Sequence, residues 1–208
     1  PLEEDQVAVF LREVQGHPHE YLYKIALFTG LREGEVLGLG WEHIDFQAGT
    51  LTVKRQLRRE QKKGGEYYFS PPKNNKSRCL TLAPSVIQLF RLQKLEQNSM
   101  RMEAGDAWEE HDLIFTNQTG GYLSYRTVYD CFKRIVRNIG APATRFHDLR
   151  HTFAVASIKS GDDIKTVQEN LGHATAAFTL DVYGHVTKQM KRDSAQRMEQ
   201  FIQAVSAG

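Results

Sequence analysis

Cysteine is almost missing from this chain of 208 residues: Cys79 and Cys131 are the only two, and neither has a partner at metal-ligand spacing. A disulfide framework and a cysteine metal site are thereby excluded, and a reducing cytoplasmic setting is expected. No long apolar run and no secretory h-region occurs, so neither a membrane span nor an export signal is expected. Internal repeats and low-complexity stretches are absent as well. An initiating Met is also lacking, and the opening on Pro1 suggests a piece of a longer protein with further domains upstream. What remains, with 40% hydrophobic residues, is enough to bury a sizeable core in one domain with appendages.

A large overall charge is lacking too, since the formal net charge is only +2, but its distribution is uneven. Residues 1 to 50 hold three basic side chains against nine acidic ones. Between 54 and 78, Lys54, Arg55, Arg58, Arg59, Lys62, Lys63, Lys73, Lys76 and Arg78 face only Glu60 and Glu66. Interleaved with Tyr67, Tyr68 and Phe69, this basic stretch suits an arm laid along a nucleic-acid backbone. A solvated hairpin with charged sides is the plainer alternative.

Periodicity predicts a mainly α chain with a small antiparallel β region at about 41–82, an α+β class. Helices are expected over Glu3–Val14, Tyr21–Phe28, Arg32–Leu39, Pro84–Met102, Ser124–Ile139, Asp148–Lys159 and Asp162 or Asp163 to Gly172, with another from Thr175 toward Tyr183. Strands are expected at Trp41–Phe46, Thr50–Leu57, Tyr67–Ser70 and Ser77–Leu82. The reversal at Gly64-Gly65 and the bend Pro71–Asn75 separate the later strands and place Lys73 on a projecting turn. Thr187–Val205 is expected as a separate amphipathic helix with Met190, Met198, Phe201 and Ile202 near one face.

The residues that carry chemistry sit on this frame. Arg32 begins a short helix just past Gly30, where free backbone N–H groups already favour phosphate. His147 and Arg150 lie three apart at another helix start and should share a face. His173 follows Gly172, and Tyr183 comes ten residues later. Arginine forks match phosphate oxygens, histidines move protons near neutral pH, and a phenol, of pKa about 10 when free, becomes a nucleophile once its proton is removed. Converging on one DNA phosphodiester, Arg32 and Arg150 would hold the charge of the pentavalent transition state without a metal. His147 and His173 would help to deprotonate Tyr183, and Lys73 would protonate the leaving 5′-oxygen. Esterification of the tyrosine to the 3′-phosphate would keep the bond energy for rejoining.

Each residue has a plainer role when taken alone. Arg32 could pair with Glu33 or Glu35, His147 and His151 could serve a helix start, His173 could cap, and Tyr183 could be a half-buried core tyrosine. The order of the segments favours the chemical reading. A metal-dependent hydrolase would want carboxylates beside the histidines, and Asp148 and Asp181 are poor candidates because His147 and Tyr183 already account for their segments. No metal and no cofactor is expected.

Thr29-Gly30-Leu31-Arg32-Glu33-Gly34-Glu35, Pro72-Lys73 with Ser77-Arg78, His147-Asp148-Leu149-Arg150-His151, Leu171-Gly172-His173 and Tyr183-Gly184-His185 together resemble the catalytic domain of tyrosine recombinases, in the branch of phage and conjugative-transposon integrases. The resemblance spans nearly the whole chain. It implies the tyrosine recombinase fold, a pocket of Arg32, Lys73, His147, Arg150 and His173, and Tyr183 as nucleophile. Glu35 would support Arg32 from behind, with His151 and His185 as further support, and Lys76 is the alternative to Lys73. The expected activity is site-specific, metal-independent DNA strand exchange through a 3′-phosphotyrosine, for integration or excision of a mobile element. A topoisomerase of type IB or a non-catalytic DNA-binding module is the alternative.

The resemblance further implies double-stranded DNA as partner, a homotetramer on that DNA, and accessory DNA-bending or directionality proteins, in a bacterial cytoplasm at the nucleoid. It divides the chain into a catalytic domain at 1–186 and a tail at 187–208 that docks in trans, with core-binding and arm-binding domains upstream.

Overall fold

The computed structural model describes residues 1–172 and 176–208. Three helices open the chain: α1 (Glu4–Val14), α2 (Glu20–Thr29) and α3 (Glu33–Leu37). Five short strands follow, β1 (Ile44–Asp45), β2 (Thr50–Val53), β3 (Gln56–Arg59), β4 (Tyr67–Ser70) and β5 (Arg78–Thr81). The remainder is helical: α4 (Pro84–Ala104), α5 (Tyr125–Asn138), α6 (His147–Lys159), α7 (Ile164–Leu171) and α8 (Ala176–Ser206). The mainly α chain with small antiparallel sheets is thus the fold the periodicity predicts.

Local chemistry sets most boundaries. Gly30 ends α2 in the left-handed region at φ 69°, and a Cβ there would lie 2.5 Å from the Phe153 ring, so only glycine fits. Pro84 occupies the first turn of α4, where no N–H is missed. The Ser124 hydroxyl accepts from the Arg126 N–H at the start of α5, and the Asp163 carboxylate accepts from Thr166 at the start of α7.

Two expected strands come out differently. Trp41–His43 is a single 3₁₀ turn, leaving only Ile44 and Asp45 as strand. Thr50–Leu57 is split: β2 lies between β1 and β5 in one antiparallel sheet, with Leu51 opposite Leu80, whereas β3 pairs with β4 in a separate hairpin. Leu51, Val53 and Leu57 are buried as alternation requires, but Arg55 occupies the inward position between them. Its Nε donates to the Gly38 carbonyl and its guanidinium lies 3.7 Å from the centre of the Phe69 ring, which turns the chain from one sheet to the other.

The tail also differs. One helix of 31 residues, α8, runs through Tyr183 and Gly184 to Ser206 in place of two helices. Most of the core gathers around Phe10, Tyr23, Ile25, Phe90 and Phe132 from α1, α2, α4 and α5. A smaller cluster of Ala154, Ile158, Val167, Leu171, Val182 and Val186 joins α6, α7 and α8, with Phe178 and Met190 against it. Met190 therefore packs on its own domain, while Met198, Phe201, Ile202 and Val205 stay exposed. Among the described residues no helix is long and apolar enough to cross a membrane.

Candidate phosphate-binding site

Helix ends create the site. The last carbonyls of a helix have no partner of their own and carry the negative end of its dipole. At the end of α7 two arginines from elsewhere satisfy them. Arg78 on β5 donates its Nε to the Asn170 carbonyl at 2.8 Å, and Arg150 in the first turn of α6 donates Nη2 to the Leu171 carbonyl at 2.6 Å. Arg150 Nη1 also donates to the Gly30 carbonyl at the end of α2, at 2.9 Å. One guanidinium thus ties two helix termini together.

Glu35, fully buried on α3, is the counter-charge. Both of its oxygens accept from Arg78, at 2.6 and 2.9 Å, and Oε1 also accepts from the Arg32 N–H. Burial opposes its ionisation, yet the Arg78 fork and Arg32 hold its pKa below the usual carboxylate range. The Arg32 side chain comes no nearer than 3.7 Å to Glu35, and its buried Nη1 has no hydrogen-bond partner among the described residues. Glu35 therefore serves Arg78 first, although it was expected to support Arg32.

The electrostatic result is an excess of cation. Burial first, and then the neighbouring Arg32, lowers the pKa of Arg150 to about 9. Burial also lowers that of Arg32, with Arg78 acting in the same direction. Three arginines thus converge around one carboxylate that is already occupied. A buried, unpaired donor in a field of surplus positive charge fits an anion with several oxygens, such as a phosphodiester. Glu33, beside Arg32, has a buried Oε1 without a hydrogen-bond partner among the described residues, and burial raises its pKa to about 7, so it adds little negative charge below neutrality.

His147 is exposed at the first position of α6, and burial of its ring followed by Arg150 lowers its pKa, leaving a neutral imidazole near neutral pH. His147 and Arg150, three apart at this helix start, differ in burial: the arginine is 3% exposed and the histidine is exposed. Asp148 fixes this helix start by accepting from the Arg145 N–H and pairing with its guanidinium at 3.0 Å.

Tyr183 projects from α8 with 40% of its surface exposed, and its hydroxyl makes no hydrogen bond with a described residue. Lys73 and Lys76 are exposed on the turn around Lys73–Asn75, where Asn74 and Asn75 both have positive φ, and this is the expected projecting turn. His173 lies outside the described residues, as does Thr175, from which a helix was expected to start.

The basic arm is less uniform than its composition suggests. Lys54, Arg58, Lys62 and Lys63 are exposed, Lys62 lying 3.1 Å from Glu60. Arg55 and Arg59 instead cover the rings of Phe69 and Tyr67 while bonding backbone carbonyls. Arg78 was expected among the DNA-facing residues. Its side chain is only 9% exposed and belongs to the Glu35 network. Asp181, set aside in the sequence as a metal ligand, lies 3.0 Å from His151 Nε2 and 3.9 Å from His185 Nε2. The signal was the spacing of four between Asp181 and His185, which a single helix brings onto one face.

Residues 2–190 match the family model described as the phage integrase family. A tyrosine recombinase XerC-like protein of Caldanaerobacter subterraneus is 28% identical over 205 residues, covering 94% of this chain and 52% of that protein. Transposase A from transposon Tn554 of Staphylococcus aureus is 33% identical over 175 residues, covering 82% of this chain and 44% of that one. The chain spans about half the length of the curated relatives it matches. Among solved structures, the Tn1549 transposon integrase in complex with transposon right end DNA superposes with a TM-score of 0.75 at 25% identity, covering 96% of this chain and 66% of that one.

Proposed function

The chain belongs to the phage integrase family, and on that footing we propose that it performs the strand cleavage and rejoining of a site-specific DNA recombinase serving a mobile element. Tyr183 Oη attacks a DNA phosphorus, the bond from phosphorus to the 5′-oxygen breaks, and a 3′-phosphotyrosine forms. The phenolic proton passes to a pocket histidine, His147 or His173, and Lys73, with Lys76 as the alternative, protonates the departing oxygen. Arg32 and Arg150 hold the equatorial oxygens. The observation that carries this reading is the buried Arg32 donor, without a hydrogen-bond partner among the described residues, beside Arg150 in a pocket with surplus positive charge. Guanidinium donors fixed before the reaction do the work for which other phosphoryl-transfer sites use a metal ion.

Double-stranded DNA is the proposed substrate, with the exposed Lys54, Arg58, Lys62, Lys63 and Lys76 along its backbone, four protomers assembled on it, and accessory DNA-bending or directionality proteins alongside. The test is a nicked duplex carrying a candidate attachment site, incubated with EDTA and resolved on a denaturing gel. A covalent band from the natural chain and about 10⁴-fold less from Tyr183→Phe is the expected result. Absence of the band on DNA that the protein binds would favour a binding module. Relaxation of supercoiled DNA without strand exchange would favour a topoisomerase of type IB.

The exposed Met198, Phe201, Ile202 and Val205 support a tail, residues 187–208, that docks on a neighbouring protomer. Truncation after Lys188 should then abolish tetramer assembly on DNA. Removal of Met190 with the tail should cost the monomer only about 1 kcal/mol, given its partial burial. Unchanged assembly and cleavage would overturn the docking.

A further inference from the structure

Apart from the arginine pocket, the α6–α8 interface gathers ligating side chains to which the proposed strand exchange gives no direct chemical step. His151 from α6 meets Asp181 and His185 from α8, and one ligand atom of each lies within 4.8 Å of the other two. We propose that these residues form a binding site for a divalent transition-metal ion of the zinc class, which staples α8 to α6.

The donor set suits such an ion. Two imidazoles and one carboxylate are intermediate to hard donors that Zn²⁺ accepts in tetrahedral geometry, with water in the fourth place. Asp181 and His185 stand four apart on one helical face, so the backbone itself sets their spacing. Asp181 presents one oxygen toward each histidine, at 3.0 Å from His151 and 3.9 Å from His185. The 3.0 Å approach is not aligned as a hydrogen bond, and among the described residues His151 Nε2 is a buried nitrogen with no hydrogen-bond partner. An ion between the three would satisfy it. Ligand atoms on a tetrahedral ion with bonds of about 2.1 Å are separated by about 3.4 Å, so small side-chain rotations close the site.

The site is anchored and accessible. The His151 ring packs on Phe178 with centroids 4.9 Å apart, which holds it at one wall. Beside His185, whose side chain is 45% exposed, a groove lined by Glu4, Lys159, Lys188 and Gln189 opens to solvent and gives the ion an entry path. Tyr183 is two residues from both Asp181 and His185, roughly 200° around the helix from each, so the ion would not touch the face that carries the phenol. The staple is therefore separate from the metal-free cleavage proposed above, and either can fail without the other.

Zinc chloride titrated against the 208-residue chain in competition with a chromophoric chelator should show one equivalent bound. Co²⁺ should give the visible bands of a four-coordinate site, and the unfolding midpoint should rise with zinc. His185→Gln and His151→Gln should each weaken binding by about tenfold or more. A His17→Ala/His19→Ala double variant, which alters the other close histidine pair, should bind unchanged. His185→Gln lies at a half-exposed position, so its fold can be verified by its metal-free unfolding midpoint. No binding, equal binding by His185→Gln, or loss only in the His17/His19 variant would each overturn the assignment.

Discussion

Glu35→Ala is expected to lower the thermal unfolding midpoint by about 10 °C, corresponding to a loss of about 3–5 kcal/mol. Arg78 is the reason. Its guanidinium is almost completely buried, and the one carboxylate that compensates it among the described residues is Glu35, which accepts two of its donors. Without that partner the charge stays in the protein interior beside Arg32 and Arg150, where like charges add to the desolvation penalty. The double variant Glu35→Ala/Arg78→Met should recover most of the loss, because removing both members of a buried ion pair costs far less than removing one.

The pH dependence has a definite sign. Glu35 binds its proton less readily in the folded chain than in the unfolded one, so its contribution is complete above the ordinary carboxylate range. It fades as pH falls through the lowered folded value. Calorimetric scans of the three proteins from neutral pH down through the carboxylate range measure this, and a Glu35→Ala midpoint at neutral pH within a degree of the natural chain would refute it.

Arg150→Lys should reduce the rate of covalent complex formation by about 10³-fold while leaving DNA affinity within a few-fold. A lysine preserves the charge, but its single nitrogen cannot reach the Gly30 and Leu171 carbonyls together and still offer donors to a phosphate. The ends of α2 and α7 would lose their shared tie, and the transition state would lose a fixed donor. Single-turnover cleavage of the nicked duplex against a gel-shift titration separates the two effects. A rate within tenfold of the natural chain would mean that charge alone suffices.

Most of this was legible because it is locally encoded. Gly30, Pro84, Ser124 and Asp163 mark helix ends by their own backbone and side-chain chemistry, and the structure begins or ends helices beside each of them. The family, too, was readable from the order of a few short segments. Failures came where distant residues decide. Arg78 is one of nine basic residues in a charged run, and only its meeting with Glu35, 43 positions away in the chain, turns it inward. Alternation along Thr50–Leu57 says nothing about which strand lies alongside, and so hid the change of sheet after Val53. The helix toward Tyr183 and the tail helix from Thr187 were expected as separate, yet α8 runs through Gly184. Its cost in a helix, about 1 kcal/mol, is offset by the stripe of Phe178, Val182, Val186 and Met190 packed against α6 and α7.

The unbroken course of α8 turns the distance between nucleophile and tail into a phase relation. Each residue between Tyr183 and Met198 fixes about 100° of rotation and 1.5 Å of advance, so the direction in which Met198, Phe201 and Ile202 point is set by the direction of the phenol. Adding a single residue would swing the apolar tail a quarter turn or more away from any surface it fits, whereas adding seven would restore it to within about 20°. The docking proposed for the tail would therefore confine length variation here to steps that restore the helical phase, a periodic rule imposed by geometry on a segment that composition alone marks as a dispensable appendage.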